Sequence, residues 1–174
     1  MADQPDGIVL KRHRDLQGRD WHPWARRSLV ALLAVVILLA LFGFVGQHPS
    51  TTRAEAATAT LSVNSPESVR GGLLYQARFT IAAHRDLKDA TLVLSSEWID
   101  GLTVNTIEPG PVSEASRDGD LVLELGHIAA GSSHVLYMDY QVNPTTVGSR
   151  TLTVELEDGG QPVTSLTRHQ RIWP

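Results

Sequence analysis

The chain has 174 residues, 42% of them hydrophobic, with 15 Lys+Arg against 19 Asp+Glu, so it has room for one domain of ordinary size and not for two large ones. Its charge is segregated: residues 1–28 carry six basic and four acidic side chains, residues 29–56 one of each, and residues 57–174 eight basic against fourteen acidic. That pattern argues against a nucleic-acid binder, and the lack of any cysteine excludes disulfide frameworks, thiolate metal sites and cysteine nucleophiles.

Residues 1–28 read as a short basic tail without periodicity. The stretch Leu29–Val45 follows, LVALLAVVILLALFGFV, seventeen residues with no polar side chain. As a helix it rises roughly 25 Å, close to the hydrocarbon thickness of a thin bilayer, so residues 29–46 are expected to form a transmembrane helix. Trp21 and Trp24 precede it as an aromatic belt would, with Arg26 and Arg27 beside them at the expected membrane interface. Lys11, Arg12, Arg14, Arg19, Arg26 and Arg27 lie before the run and only Arg53 lies close behind it. The positive-inside rule then puts the N-terminus in the cytoplasm and the rest outside, in the plasma membrane of the cell. The rival reading is a cleavable signal, with Ala54-Glu55-Ala56 as a small-x-small cleavage site and Arg26-Arg27-Ser28-Leu29-Val30 resembling a twin-arginine signal. The long leading region and the length of the apolar run favour a retained anchor. Residues 47–58, polar and small, read as a flexible tether with a mean reach of roughly 20 Å.

From about Ala59 the hydrophobic period becomes two. Leu73, Tyr75, Ala77, Phe79 and Ile81 alternate with Leu74, Gln76, Arg78 and Thr80. Leu121, Leu123 and Leu125 form a second such face, Leu136, Met138, Tyr140 and Val142 a third, and Leu152, Val154 and Leu156 a fourth. One apolar and one mainly polar face is the mark of a half-buried antiparallel strand. Shorter strands are predicted at 59–63, 90–95, 102–107, 112–117 and 163–172, separated by turn signals such as Arg70-Gly71-Gly72, Asp100-Gly101, Asp118-Gly119 and Asp158-Gly159-Gly160. No gap holds a crossover helix. The expected fold is therefore all-β, an immunoglobulin-like antiparallel β-sandwich over 59–174 preceded by one transmembrane α-helix.

The succession Val69-Arg70-Gly71-Gly72, Phe79-Thr80-Ile81, Asp100-Gly101-Leu102-Thr103-Val104, Asp118-Gly119-Asp120-Leu121, Leu125-Gly126-His127-Ile128 and Val142-Asn143-Pro144-Thr145-Thr146-Val147-Gly148 resembles the bacterial conserved-repeat and CARDB-type immunoglobulin-like domains of cell-surface proteins. Basic tail, one span and one such domain also resemble small membrane proteins of actinobacteria. The resemblance implies a non-catalytic adhesion, spacing or docking module. The chain departs from the commoner family pattern at Trp98-Ile99-Asp100, where a Leu-Pro pair is more usual.

Motifs that carry chemistry are sparse. There is no nucleophile elbow, phosphate-cradling glycine loop or HExxH metal helix. Ser132-Ser133-His134 sets hydroxyls beside an imidazole, but strand neighbours point to opposite faces. Carboxylates at Asp86 and Asp89, at Asp118 and Asp120, and at Glu155, Glu157 and Asp158 fall in loops where calcium sites occur, yet they also satisfy turn chemistry or alternate outward. No catalytic residue, metal or cofactor is expected. Trp98 reads either as the tryptophan a sandwich core commonly buries or, exposed with Ile99, as a candidate partner contact. Trp173 is expected to end the last strand and cover the bottom of the core. The expected function is that of a protein-interaction or accessory module of the cell envelope, its partners the lipid bilayer and an envelope or integral-membrane protein, with no nucleic acid. The alternative is an adhesion or wall-binding module, released by cleavage near Ala56.

Overall fold

The apolar run folds as helix α1, His22–Leu41, in a computed structural model that describes residues 21–42 and 46–174. Residues 1–20 of the expected tail and residues 43–45 of the expected span lie outside the described residues. The helix begins seven residues ahead of Leu29, because Pro23 suits a first turn and nothing between it and Leu29 breaks the helix. Trp24, Arg26 and Arg27 therefore sit on α1 rather than before it. Its 20 residues span about 30 Å, and every side chain from Trp21 to Phe42 is exposed. It is long and apolar enough to cross a membrane.

Residues 47–174 form a separate compact unit of eleven strands. These are β1 (Pro49–Glu55), β2 (Ala59–Pro66), β3 (Ser68–Arg70), β4 (Leu74–Ala83), β5 (Leu87–Leu94), β6 (Leu102–Glu108), β7 (Ser113–Arg117), β8 (Asp120–Ile128), β9 (Ser133–Val142), β10 (Gly148–Asp158) and β11 (Gln161–Trp173). One sheet has the order β1-β2-β4-β9-β6 and the other β3-β11-β10-β5-β8-β7. All pairs are antiparallel except β3 with β11. The result is an immunoglobulin-like β-sandwich, as the period of two predicted.

The inward faces follow that period. In β4, Tyr75, Ala77, Phe79 and Ile81 are buried while Gln76 and Arg78 are exposed. Leu136, Met138, Tyr140 and Val142 of β9 and Leu152, Val154 and Leu156 of β10 meet them in one core. Leu73 is a correction: it was assigned to the inner face but is 48% exposed, because the Gly71-Gly72 turn delays β4 until Leu74.

The expected tether is the larger correction. Seven of its residues are β1, paired along their whole length with β2 from Pro49 opposite Pro66 to Glu55 opposite Thr60. The sandwich thus starts at Pro49 rather than Ala59. PSTTRAE lacks an apolar alternation because an edge strand of small residues is held by main-chain pairing, which leaves little hydrophobic trace. Strand β3, at three residues, is too short to show an alternation.

Candidate functional site

Strand β5 ends at Leu94 and the chain makes a 3₁₀ turn at Ser96–Trp98, which swings the Trp98 indole between the sheets. Its Nε1–H donates to the Thr153 carbonyl oxygen at 3.0 Å, the one polar demand of an otherwise apolar ring. The ring packs 5.2 Å from Phe79 and 6.0 Å from Tyr140, which in turn stacks on Tyr75 at 5.1 Å. Trp98 is 0% exposed, so it belongs to the core and cannot serve as an exposed partner contact. Of the expected pair only Ile99 reaches the surface, half-buried. Trp173 does end β11, but it is 49% exposed under the Arg171 guanidinium, 4.4 Å from the ring, and Ile172 covers the core instead.

The hydroxyl–imidazole neighbours do not combine. Ser132 Oγ donates to the Ala129 carbonyl at 2.6 Å, and His134 Nε2 is buried with no hydrogen-bond partner. Burial pushes the His134 pKa below the ordinary imidazole value. The loop carboxylates are used locally. Asp86 pairs with His127 at 3.0 Å, Asp158 accepts the Asp89 amide and Asp120 accepts the Ser96 amide. Glu157 faces away from the core yet is covered, held by the Arg117 guanidinium at 2.6 Å. Among the described residues no three of His, Cys, Asp or Glu converge as a metal site would require.

A polar cluster that sequence reasoning missed lies at the open edge of the sandwich. Along β11 the inward positions are Leu166, Arg168, Gln170 and Ile172. Arg168 is 4% exposed and reaches across to the other sheet. It donates to the carbonyls of Val63 at 3.2 Å, Ser65 at 2.7 Å and Ser50 at 3.4 Å, and to Ser50 Oγ at 3.1 Å. Ser50 Oγ in turn donates to the Glu67 carboxylate at 2.6 Å, which offsets the buried charge through one hydroxyl. Gln170 donates to the Pro66 carbonyl at 3.1 Å. Desolvation lowers the Arg168 pKa and raises that of the adjacent Tyr75 to about 12. The signal was present in the alternation, which sets two long polar side chains on an apolar face. In effect Arg168 ties β1 and β2 to β11.

At the start of α1, the Trp21 and His22 rings lie 4.3 Å apart, tilted by 52°, and the Arg27 guanidinium lies 5.7 Å from the Trp24 ring centre, while Arg26 is exposed one residue away. These four expected interface residues are together in the first two turns of the helix or just before them.

Fold and site together define a β-sandwich domain preceded in the chain by one apolar helix. No family model matches the chain, and no curated protein matches it. Among solved structures, the CARDB domain of the PF1109 protein from Pyrococcus furiosus, determined in complex with di-metal ions, is similar at 12% identity over 73% of this chain and 96% of that one, with a TM-score of 0.39. CaCohA2 from Clostridium acetobutylicum is similar at 16% identity over 68% and 92%, with a TM-score of 0.45. A non-cellulosomal cohesin from Archaeoglobus fulgidus is similar at 18% identity over 72% and 92%, with a TM-score of 0.41. These likenesses concern the arrangement of strands.

Proposed function

We propose that the chain is a single-pass membrane protein of the cell envelope, anchored by α1 with its N-terminus in the cytoplasm, whose immunoglobulin-like domain outside the membrane is a non-catalytic protein-interaction module. The carrying observation is α1 itself: 20 residues, exposed all round and apolar beyond its first two turns, which only lipid or another apolar surface can cover. Six basic residues before the apolar run against Arg53 behind it support the orientation. The resemblance to bacterial surface domains is consistent with an envelope setting.

Retention of the anchor has its own support. Cleavage after Ala56 would cut away the whole of β1, and with it the Ser50 carbonyl and hydroxyl that Arg168 holds. An exported domain beginning at Ala57 would expose the edge of β2 and leave the buried guanidinium short of two acceptors.

The test is a reporter active only outside the cytoplasm, fused after Pro174, together with fractionation and a pull-down of full-length chain from mild detergent. Reporter activity, full-length chain in the membrane fraction and a stoichiometric integral-membrane partner are expected. Soluble protein starting near Ala57 would overturn the anchor, and capture by purified wall polymer in place of a protein would overturn the interaction reading.

A further inference from the structure

Strand directions gather particular segments at one end of the sandwich. β1 enters there, Pro49 lying opposite Pro66. The Gly71-Gly72 turn, the 143–147 loop and the end of β11 meet at the same pole: the Gly71 amide donates to the Trp173 carbonyl at 2.8 Å, the Gly72 amide to Val142 at 2.9 Å, and Gly71 backs onto Pro144 too closely to tolerate a side chain easily. Gly148 is paired with Ile172, which brings Val147 beside the end of β11.

This pole is apolar. Among the described residues of the sandwich, six large apolar side chains are exposed, and four of them, Leu73, Leu74, Val147 and Trp173, are here. Of the other two, Tyr137 is on β9 and Val112 is in the β6–β7 connection beside Gly126, toward the opposite pole, whose loops 84–86, 129–132 and 158–160 have none. Such a concentration marks a contact surface. Arg70 and Arg171 flank it, Arg171 lying over the Trp173 ring, and segments 70–74, 143–147 and 171–174 contain no acidic side chain although residues 57–174 carry fourteen. The acidic side chains at this end stand around those segments: Glu67, whose carbonyl accepts the Arg171 amide, and Glu97, Asp100 and Asp118 on the adjoining turns.

Chain length bounds how far this surface can stand from α1. Eight Cα steps separate Leu41 at the end of α1 from Pro49, at most ~30 Å however the chain runs. Resting on the reading of α1 as a membrane anchor, we propose that this pole docks on the surface of the bilayer that holds α1. Leu73, Leu74, Val147 and Trp173 enter the headgroup–acyl boundary, and Arg70 and Arg171 remain level with the phosphates. Apolar contact drives the docking, because the acidic domain as a whole is repelled by anionic lipid. Docked in this way, the sandwich stands on its base and presents loops 84–86, 129–132 and 158–160 outward.

The chain contains no cysteine, so single nitroxide labels can be placed without background. Full-length V147C, L73C and, at the opposite pole, A130C are labelled and reconstituted in vesicles of phosphatidylcholine and phosphatidylglycerol, with folding checked by the near-ultraviolet dichroism of Trp98. Collision with oxygen, which concentrates in lipid, is compared with collision with a water-soluble nickel chelate. A several-fold higher oxygen-to-nickel ratio at Val147 and Leu73 than at Ala130 is expected. Equal ratios at both poles in vesicles that retain the chain through alkaline washing overturn the docking and leave the anchor standing. Labels shielded from both reagents also overturn it and assign the pole to a protein contact. Release of the chain by alkaline washing removes the anchor, and the docking with it.

Discussion

Replacing Phe79 by alanine cuts into the middle of the core at a site whose neighbours are all defined. Phe79 is 1% exposed, lies between Val63 of β2 and Leu136 of β9, and has its ring 5.2 Å from Trp98. Truncation of a buried phenylalanine costs roughly 3–5 kcal/mol through lost transfer and a residual cavity. Loss of the aromatic pair with Trp98 places the cost in the upper half of that range, about 4 kcal/mol. For a unit spanning residues 47–174, with an unfolding entropy of roughly 2.1 cal/mol/K per residue, that lowers Tm by about 15 °C. Arg78, next in the chain, is exposed in β4, so Arg78→Ala should stay within about 0.5 kcal/mol and move Tm by about 2 °C or less. Thermal melting is followed by near-ultraviolet dichroism, whose change on melting comes from aromatic side chains losing fixed packing, Trp98, Tyr75 and Tyr140 of the core among them. The two positions are adjacent, so only their facing distinguishes them. Equal melting of the two variants would refute the register of β4 and the core built on it.

Arg168→Leu removes the guanidinium donors to Ser50, Val63 and Ser65, and should raise hydrogen-exchange rates across β1 by about tenfold or more, equivalent to ~1.4 kcal/mol, with β9 unchanged; uniform acceleration would show a general loss of stability instead. Gly101 has φ +67° and a Cβ there would lie 2.6 Å from Thr146 Oγ1, so Gly101→Ala should cost about 1–3 kcal/mol in thermal melting, while Gly110→Ala, with open space around it, serves as the unchanged comparison. The pKa of His134 is depressed by burial below its unfolded value of about 6.5, so the stability it confers by remaining neutral is present above that pH and lost as pH falls through it toward the folded value. Urea midpoints measured from neutral to mildly acid pH should therefore fall less steeply in His134→Gln than in the parent, and identical slopes would refute the assignment.

Much of the sandwich was legible because its causes are local. Side chains alternate across a strand whatever lies around it, so Tyr75, Ala77, Phe79 and Ile81, and likewise Leu136, Met138, Tyr140 and Val142, declare an inner face in one dimension. The same parity, carried along β11 from Leu166 to Ile172, would have set Trp173 on the outer face, where it is found. The apolar helix was legible for a similar reason, since a long run without polar side chains needs no partner to be recognised.

Where identity depends on contacts far along the chain, the sequence is silent. β1 is a strand because β2 offers it a ladder, not because PSTTRAE prefers one. The burial of Trp98 depends on a carbonyl 55 residues away, and that of Arg168 on acceptors more than a hundred residues before it. The base of the sandwich is likewise a product of topology: Leu73, Val147 and Trp173 are unremarkable singly and become a surface only when β3, β9 and β11 end at one pole. The sequence by itself determined period and composition, hence one apolar helix and an antiparallel sandwich with these inner faces. The tertiary structure alone decided which edge is closed, which tryptophan is hidden and which end is apolar, because those depend on strand order, and strand order brings together residues that local propensity cannot relate.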